Sequence, residues 1–197
     1  MASPQPRSPV QLAHFVVRTR DMDALVEFYQ KLLGAEVVQR TKYMTFLSYD
    51  DEHHRLAVLS DPTALPKPRA QPDAGSGSAT AAAPPAMACG FDHVAFTVSS
   101  VGELLRRYRA CKEIGIKPLS CFHHGIAVSM YYADPDDNKI ELLAQAFSDM
   151  DQARALMRRP EFNRNPRGPA FDPDALLQAL EAGKSETQLL EQVAWKL

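Results

Sequence analysis

The sequence predicts an α+β fold made of two βαβββ modules that form a cupped mixed sheet, followed by a C-terminal helical tail. Two observations support this prediction. The segments 11–60 and 91–145 show the same order of strand-like and helix-like patterns. The intervening residues 61–90 are rich in Pro, Ala, Gly and Ser and almost free of large apolar side chains, so they cannot bury enough surface to form a core. We therefore expect a flexible linker between two repeated units.

The first module begins with LAHFVVRT, a segment rich in β-branched and aromatic residues that is typical of a strand. In the following DMDALVEFYQKLLG, apolar residues recur at helical spacing, and Gly34 marks the C-terminal end of the helix. Three strand-like runs follow, at about 35–39, 43–49 and 54–60.

The second module repeats this order, with FDHVAFTV as its first strand and SVGELLRRYRACKEIG as its helix. Ser100 and Glu103 have the spacing of a capping box, and Gly115 ends the helix. The three strands that follow are expected at about 117–122, 127–133 and 139–144.

The two ends of the chain differ in character. Residues 1–10 are proline-rich, and we expect them to be disordered. The tail, 146–197, is helical and amphipathic, with Asp172 as an N-cap, Pro173 at a first helical position and Gly183 as a stop. Its narrow leucine stripes predict helices that dock on the domain or on a second copy of the chain, as in a homodimer.

Composition excludes several classes of function. Lys+Arg 22 against Asp+Glu 24 gives a net charge of −2, so there is no basic surface for a nucleic acid. No apolar run approaches the roughly 20 residues of a membrane span, and the N-terminal sequence MASPQPRSPV lacks the apolar core of a secretory signal. The three cysteines lack metal-knuckle spacing and indicate reduced thiols, so we expect a cytoplasmic protein.

The internal repeat places His14 and His93 at the same position of the first strand in each module. A single strand histidine is usually structural, but two equivalent histidines are brought together if the modules pack about a pseudo-two-fold axis. Neutral imidazole is the commonest metal ligand in proteins. The pair therefore suggests a metal site between the modules.

A third ligand follows from strand geometry. The segment MYYADPDDNKIELL predicts a hairpin whose turn is centred near Asp136, which places Tyr131 directly opposite Glu141. Glu141 lies among apolar residues, where an unpaired carboxylate is costly, and a divalent cation would be a suitable partner. The alternative is a glutamate on an edge strand that points to water.

These motifs resemble the vicinal oxygen chelate superfamily and, more narrowly, the type I extradiol ring-cleavage dioxygenases. The segment 124–141, HGIAVSMYYADPDDNKIE, is similar to that family's signature of His, an apolar residue, Tyr, an acid, Pro and Glu. Asp137 stands where the family usually has Gly or Pro, and Asp tolerates the left-handed geometry of such a turn. The segment 44–57, MTFLSYDDEHHRLA, resembles the family segment in which the second of two adjacent histidines is catalytic.

The resemblance implies a metal site and its ligands. His14, His93 and Glu141 would hold Fe(II), and Mn(II) could take the same ligands. Two histidines and one carboxylate form the facial triad of non-haem Fe(II) oxygenases, which leaves positions open for substrate and O₂. Glyoxalase-like and epimerase-like members use a fourth ligand from the last strand of module one, and residues 55–60 offer no good candidate.

The resemblance also assigns catalytic residues. His54 would act as an acid/base, while His124 and Tyr131 would hydrogen-bond the diol and stabilise negative charge. His123, next in the chain to His124, is a possible substitute for it. The implied activity is an extradiol dioxygenase that cleaves a catechol-like aromatic diol with O₂.

Two other functions occur on the same scaffold. One is a protein that binds an aromatic ligand without turnover, and the other is a metal-dependent isomerase or lyase. The co-occurrence of His54, His124 and Tyr131 favours the dioxygenase, because a sequestering protein needs none of them. Strand residues that could form the floor of the substrate pocket are Phe46, Phe96 and Met130.

Overall fold

The computed structural model of the protein describes residues 11–65 and 91–193. The chain forms two compact units, Met1–Pro66 and Lys67–Leu197. The predicted disordered segment 1–10 and nearly all of the predicted linker lie outside the described residues. Among the helices within the described ranges, none is long and apolar enough to cross a membrane.

The first unit is a four-stranded sheet covered by one helix. Its elements are β1 (Phe15–Thr19), α1 (Met22–Leu33), β2 (Glu36–Arg40), β3 (Met44–Ser48) and β4 (Leu56–Ser60). The strand order is β1-β4-β3-β2, with β1 parallel to β4 and the other pairs antiparallel. The predicted βαβββ order is confirmed.

Helix α1 has the ends that its sequence predicts. The Asp21 side chain accepts a hydrogen bond from the backbone N–H of Ala24, and Gly34 ends the helix in the left-handed conformation with φ 69°. The apolar face of α1 packs on β3 and β4. Tyr29 on this face is fully buried and makes an edge-to-face contact with Phe15 of β1, which fixes the helix across the sheet.

The second unit repeats the same topology. It contains β5 (His93–Val98), α2 (Val101–Glu113), β6 (Ser120–His123), β7 (Ala127–Ala133) and β8 (Lys139–Gln145). The order is β5-β8-β7-β6, again with only the first pair parallel. The Ser100 side chain caps α2 by accepting from the Glu103 N–H. The Glu103 carboxylate pairs with Arg106 and Arg107, so only this half of the predicted capping box is observed.

The two faces of the second sheet serve different purposes. Side chains alternate along each strand, so Met130 and Tyr132 share one face while Tyr131 lies on the other. Tyr132 is fully buried beside Tyr108 and Cys111 of α2, which identifies this face as the core. The opposite face carries the polar and ionisable side chains described below.

Within residues 146–193, the tail forms four helices: α3 (Met150–Met157), α4 (Pro160–Arg164), α5 (Pro173–Glu181) and α6 (Glu186–Gln192). Asp172 caps α5 and Pro173 is its first residue, as the sequence predicts. Helices α5 and α6 pack on α2. The Glu186 carboxylate accepts hydrogen bonds from the backbone N–H groups of Val101 and Gly102 at 2.9 and 2.8 Å. Of the two docking modes predicted for the tail, the structure therefore shows docking on its own unit.

Candidate active site

The polar face of the second sheet brings together a histidine and a buried carboxylate. In the register of β5 and β8, Ala95 pairs with Glu141, so His93 lies two residues away on the same face. His93 Nε2 is 2.9 Å from Glu141 Oε2. Only 6% of Glu141 is exposed, so its carboxylate requires a partner.

The other ring nitrogen of His93 is held by the preceding residue. His93 Nδ1 lies 2.6 Å from Asp92 Oδ2, and this hydrogen bond is the main reason why the pKa of Asp92 lies below its ordinary value. The Asp92 carboxylate accepts a hydrogen bond from the Nδ1–H group of His93, and the other ring nitrogen, Nε2, faces Glu141.

An imidazole nitrogen and a carboxylate oxygen, both groups that bind metal ions, thus lie 2.9 Å apart. Imidazole and carboxylate are suitable ligands for Fe(II) or Mn(II), and a carboxylate on the second histidine nitrogen is the usual support of a metal ligand. The side chains present therefore fit a divalent metal ion.

Tyr131 and His124 extend this face of the sheet. Tyr131 pairs directly with Glu141, as the predicted hairpin requires, and its ring is perpendicular to that of His93 at 5.5 Å. The Tyr131 hydroxyl lies 2.9 Å from His124 Nε2. Burial, reinforced by the Glu141 charge, raises the pKa of Tyr131, and burial lowers the pKa of His124. Both groups are neutral near pH 7, so the phenol can donate and the imidazole can accept.

The structure also separates the two adjacent histidines at the end of β6, of which His123 is the last strand residue and His124 follows it. His123 is buried on the core face, where its Nδ1 accepts a hydrogen bond from the Gly125 N–H at 3.1 Å. His124 lies on the opposite face beside Tyr131. His124 is thus the histidine of the pair that the structure places with the other predicted site residues of this unit.

Two further residues of the same face were not predicted from the sequence. The Phe122 ring lies 6.3 Å from that of Tyr131 and 6.1 Å from that of His124. Ser129 is fully buried, and its hydroxyl has no hydrogen-bond partner among the described residues. The sequence could have indicated both residues, because side chains two positions apart along a strand share a face. Phe122 lies two positions from His124, and Ser129 lies two positions from Tyr131.

The first unit has a histidine cluster at the corresponding end of its sheet. The rings of His14 and His54 are 4.4 Å apart, and Phe46 makes an edge-to-face contact with His54 at 5.1 Å. His53 Nδ1 lies 2.6 Å from His54 Nδ1, so one of these nitrogens donates to the other. Burial, followed by the charges of His14 and His53, lowers the pKa of His54. His54 is therefore neutral near pH 7 and able to accept a proton.

The predicted metal triad takes ligands from both units. Within either unit alone, the described residues contain no group of three His, Cys, Asp or Glu side chains that could hold a metal ion. The second unit contributes His93 and Glu141 as a contacting pair. The assignment of His14 as the third ligand stays a prediction.

The predicted pocket floor needs a correction. Phe46 lies beside His54, and its place in the pocket floor stays a prediction. Met130 is fully buried on the core face of β7, and Phe96 pairs with Leu142 on the same face. The placement of Phe96 and Met130 in the pocket of the polar face is therefore wrong, because both residues are one position out of phase with Glu141 and Tyr131.

Comparisons with known proteins agree with this architecture. The family model described as Glyoxalase/Bleomycin resistance protein/Dioxygenase superfamily matches residues 11–142. Biphenyl-2,3-diol 1,2-dioxygenase 2 from Rhodococcus globerulus is 38% identical over 187 residues, covering 95% of this chain and 90% of that protein. Biphenyl-2,3-diol 1,2-dioxygenase 3 from the same organism is 35% identical with the same coverage.

Solved structures show the same fold at low identity. A glyoxylase/bleomycin resistance protein/dioxygenase domain from Frankia sp. EAN1pec has a TM-score of 0.53 and 13% identity, covering 74% of this chain and 99% of that domain. The fosfomycin resistance protein FosX from Listeria monocytogenes has a TM-score of 0.53 and 16% identity, covering 77% and 100%. The family model covers residues 11–142, and two relatives are more than 30% identical over 187 residues. The chain therefore belongs to the Glyoxalase/Bleomycin resistance protein/Dioxygenase superfamily.

Proposed function

We propose that the protein is an extradiol dioxygenase that cleaves a catechol-like aromatic diol with O₂ at a mononuclear Fe(II) site. The observation that carries this proposal is the arrangement of His93 and Glu141 beside Tyr131 and His124 on one sheet face. The names of the two curated relatives support the reaction class and indicate biphenyl-2,3-diol as the first substrate to test.

In this proposal the metal ligands are His93 and Glu141 from the second unit and His14 from the first. Two histidines and one carboxylate leave coordination positions open for a chelating diol and O₂, and Mn(II) accepts the same ligands. The bound ion would supply the one-electron chemistry that allows an aromatic diol to react with O₂.

The protein side chains would handle protons and charge. His54, which is neutral and lies next to His14, would take a proton from a diol hydroxyl and return one later in the reaction. Tyr131 and His124 would hydrogen-bond the diol oxygens, with the neutral phenol as donor and the neutral imidazole as acceptor. Fixed donors on strands require little reorganisation during the reaction.

The ring would open beside the two hydroxyl-bearing carbons. One carbon–carbon bond breaks, and both atoms of O₂ enter the ring-opened product, so no external reductant is required. This balance separates a dioxygenase from an isomerase or lyase, neither of which consumes O₂.

The deciding experiment is anaerobic purification with metal analysis, followed by oxygen-electrode assays with biphenyl-2,3-diol and a panel of catechols. We expect the iron-loaded protein to consume one O₂ per diol and ¹⁸O₂ to label two product oxygens. The metal-depleted protein and the Glu141→Ala variant serve as controls. Binding of the diol without oxygen uptake by the iron-loaded protein would contradict the proposal and indicate a sequestering protein.

A further inference from the structure

The C-terminal tail adds a segment to the free edge of the second sheet. Between α4 and α5, Ala170 forms an isolated antiparallel bridge with Phe122 of β6. The His123 N–H donates to the Pro169 carbonyl at 2.9 Å, and the Phe171 N–H donates to the Cys121 carbonyl at 3.1 Å. Backbone pairing on both sides of the bridge fixes this part of the tail against β6.

This pairing places Arg167 beside the polar face of the sheet. The Arg167 Cζ atom lies 4.4 Å from the centre of the Phe122 ring, within the range of a cation–π contact. The same Phe122 ring lies 6.1 Å from the His124 ring and 6.3 Å from the Tyr131 ring. The backbone of Pro166 and Arg167 lies beside His124.

The Arg167 guanidinium brings a positive charge to the part of the polar face that Phe122, His124 and Tyr131 share. A cation near this face attracts a negatively charged oxygen bound there and so favours the ionised form of a bound hydroxyl. A diol that loses a proton on binding presents such an oxygen.

We propose that Arg167, held over Phe122 by the edge pairing of the tail, stabilises the ionised form of the bound aromatic diol. The inference rests on the proposed function, since it requires the diol oxygens to lie near Tyr131 and His124. Arg167 lies outside the residues 11–142 that the family model matches, so the tail supplies an electrostatic component that the two modules alone do not contain.

The test compares Arg167→Met, which keeps most of the length but loses the charge, with Arg167→Lys, which keeps the charge. Arg164→Met is the matched control, because Arg164 is an exposed arginine at the end of α4 in the same tail. The probe is 4-nitrocatechol, whose absorption spectrum reports its ionisation. Each iron-loaded variant is titrated anaerobically, and its thermal unfolding is measured in parallel.

We expect Arg167→Met to bind 4-nitrocatechol about fivefold more weakly than wild type and to hold a smaller ionised fraction, as for the loss of one exposed charge interaction. The difference should nearly disappear when ionic strength rises from about 0.01 M to about 1 M, where the screening length falls from about 30 Å to about 3 Å. Arg167→Lys should restore most of the affinity, and Arg164→Met should match wild type.

Two outcomes would overturn the inference while leaving the proposed function intact. One is equal affinity and equal ionised fraction in wild type and Arg167→Met. The other is a loss in Arg167→Met that does not change with salt and is shared by Arg167→Lys, which would indicate a purely structural role. If wild type itself binds neither iron nor 4-nitrocatechol, the proposed function fails and the inference fails with it.

Discussion

The two units share one topology but carry different chemistry at equivalent positions. In the first unit, β4 places Ala57 between Val16 of β1 and Phe46 of β3. In the second unit, β8 places Glu141 between Ala95 of β5 and Tyr131 of β7. Ala57 is therefore the counterpart of Glu141, and Phe46 is the counterpart of Tyr131.

The histidines are the feature that both units keep. His14 directly precedes β1 and His93 is the first residue of β5, so the two histidines hold equivalent positions. Their surroundings differ. His93 is held by Asp92 and faces Glu141, whereas His14 follows Ala13 and contacts the ring of His54. At these equivalent positions the second unit has a carboxylate and a phenol, whereas the first unit has Ala57 and Phe46 and places His54 against its strand histidine.

Replacing Glu141 by its first-unit counterpart should give the largest effect. We expect Glu141→Ala to lose iron and to lower oxygen uptake by at least about 10³-fold, because metal-based stabilisation of several kcal/mol disappears. Glu36→Ala, which removes an exposed strand glutamate of the first unit, is the control and should keep both properties. Full iron occupancy in Glu141→Ala would show that Glu141 is not a ligand.

The metal site can also test whether the two units act together. If His14 and His93 are both ligands, alanine at either position should weaken iron binding strongly. The measurement is iron content after anaerobic reconstitution and desalting. Normal occupancy in His14→Ala with loss in His93→Ala would restrict the metal site to the second unit.

A substitution in the histidine cluster of the first unit should give the next largest effect, a loss of turnover. We expect His54→Gln to keep iron and diol binding but to lower turnover by about 10²- to 10⁴-fold, the usual contribution of a positioned acid/base. His53→Gln is the neighbouring control, and we expect it to retain more activity. Loss of iron from His54→Gln would mean that His54 is a ligand, and unchanged turnover would move the acid/base role to another histidine.

Replacing Tyr131 by its first-unit counterpart isolates one hydroxyl group. Tyr131→Phe should keep iron and lower turnover by about 10- to 150-fold, since a hydrogen bond to a charged group contributes about 1.5–3 kcal/mol. The fold should be retained, because Phe46 occupies the equivalent position in the first unit. Turnover equal to wild type in steady-state assays would remove Tyr131 from the reaction.

Removing the charge of Asp92, which supports His93, should have a smaller effect, and that effect should be on metal affinity. Asp92→Asn keeps the size of the side chain but loses the charge that holds the Nδ1 proton of His93. We expect iron affinity to fall by about 10- to 100-fold in competition with a chelator, as for other carboxylates that support a metal-bound histidine. Asp151→Asn, an exposed aspartate of α3, is the control, and equal affinity in the two variants would exclude the supporting role.

Local patterns predicted most of the fold. Helix periodicity, the glycine stops and the turn residues gave both βαβββ units, and Asp137 adopts the left-handed conformation, φ 61°, expected at its turn. Strand β6 starts at Ser120 rather than near residue 117, and the intervening Pro118 has no N–H to donate to a ladder. Local hydrogen-bond chemistry was therefore sufficient for the elements and nearly sufficient for their ends.

The site was predicted less completely. The position of one turn predicts that Tyr131 and Glu141 lie directly opposite each other on neighbouring strands, and the structure confirms this pairing. The pocket-floor prediction is wrong for Phe96 and Met130, because alternation along their strands assigns both apolar side chains to the core face. Arg167 could not have been predicted from local sequence, since only the pairing of the tail with β6 brings it to this face.

The smallest expected effect concerns Ser129, whose counterpart in the first unit is the apolar Met44. A fully buried hydroxyl without a partner among the described residues destabilises the folded state. We expect Ser129→Ala to raise the free energy of unfolding by about 1 kcal/mol in denaturant titrations. Ser100→Ala, which removes the cap of α2, should lower it by about 1 kcal/mol and provides a comparison of opposite sign. Destabilisation by Ser129→Ala would instead show that the hydroxyl is satisfied, as by an ordered water on the polar face.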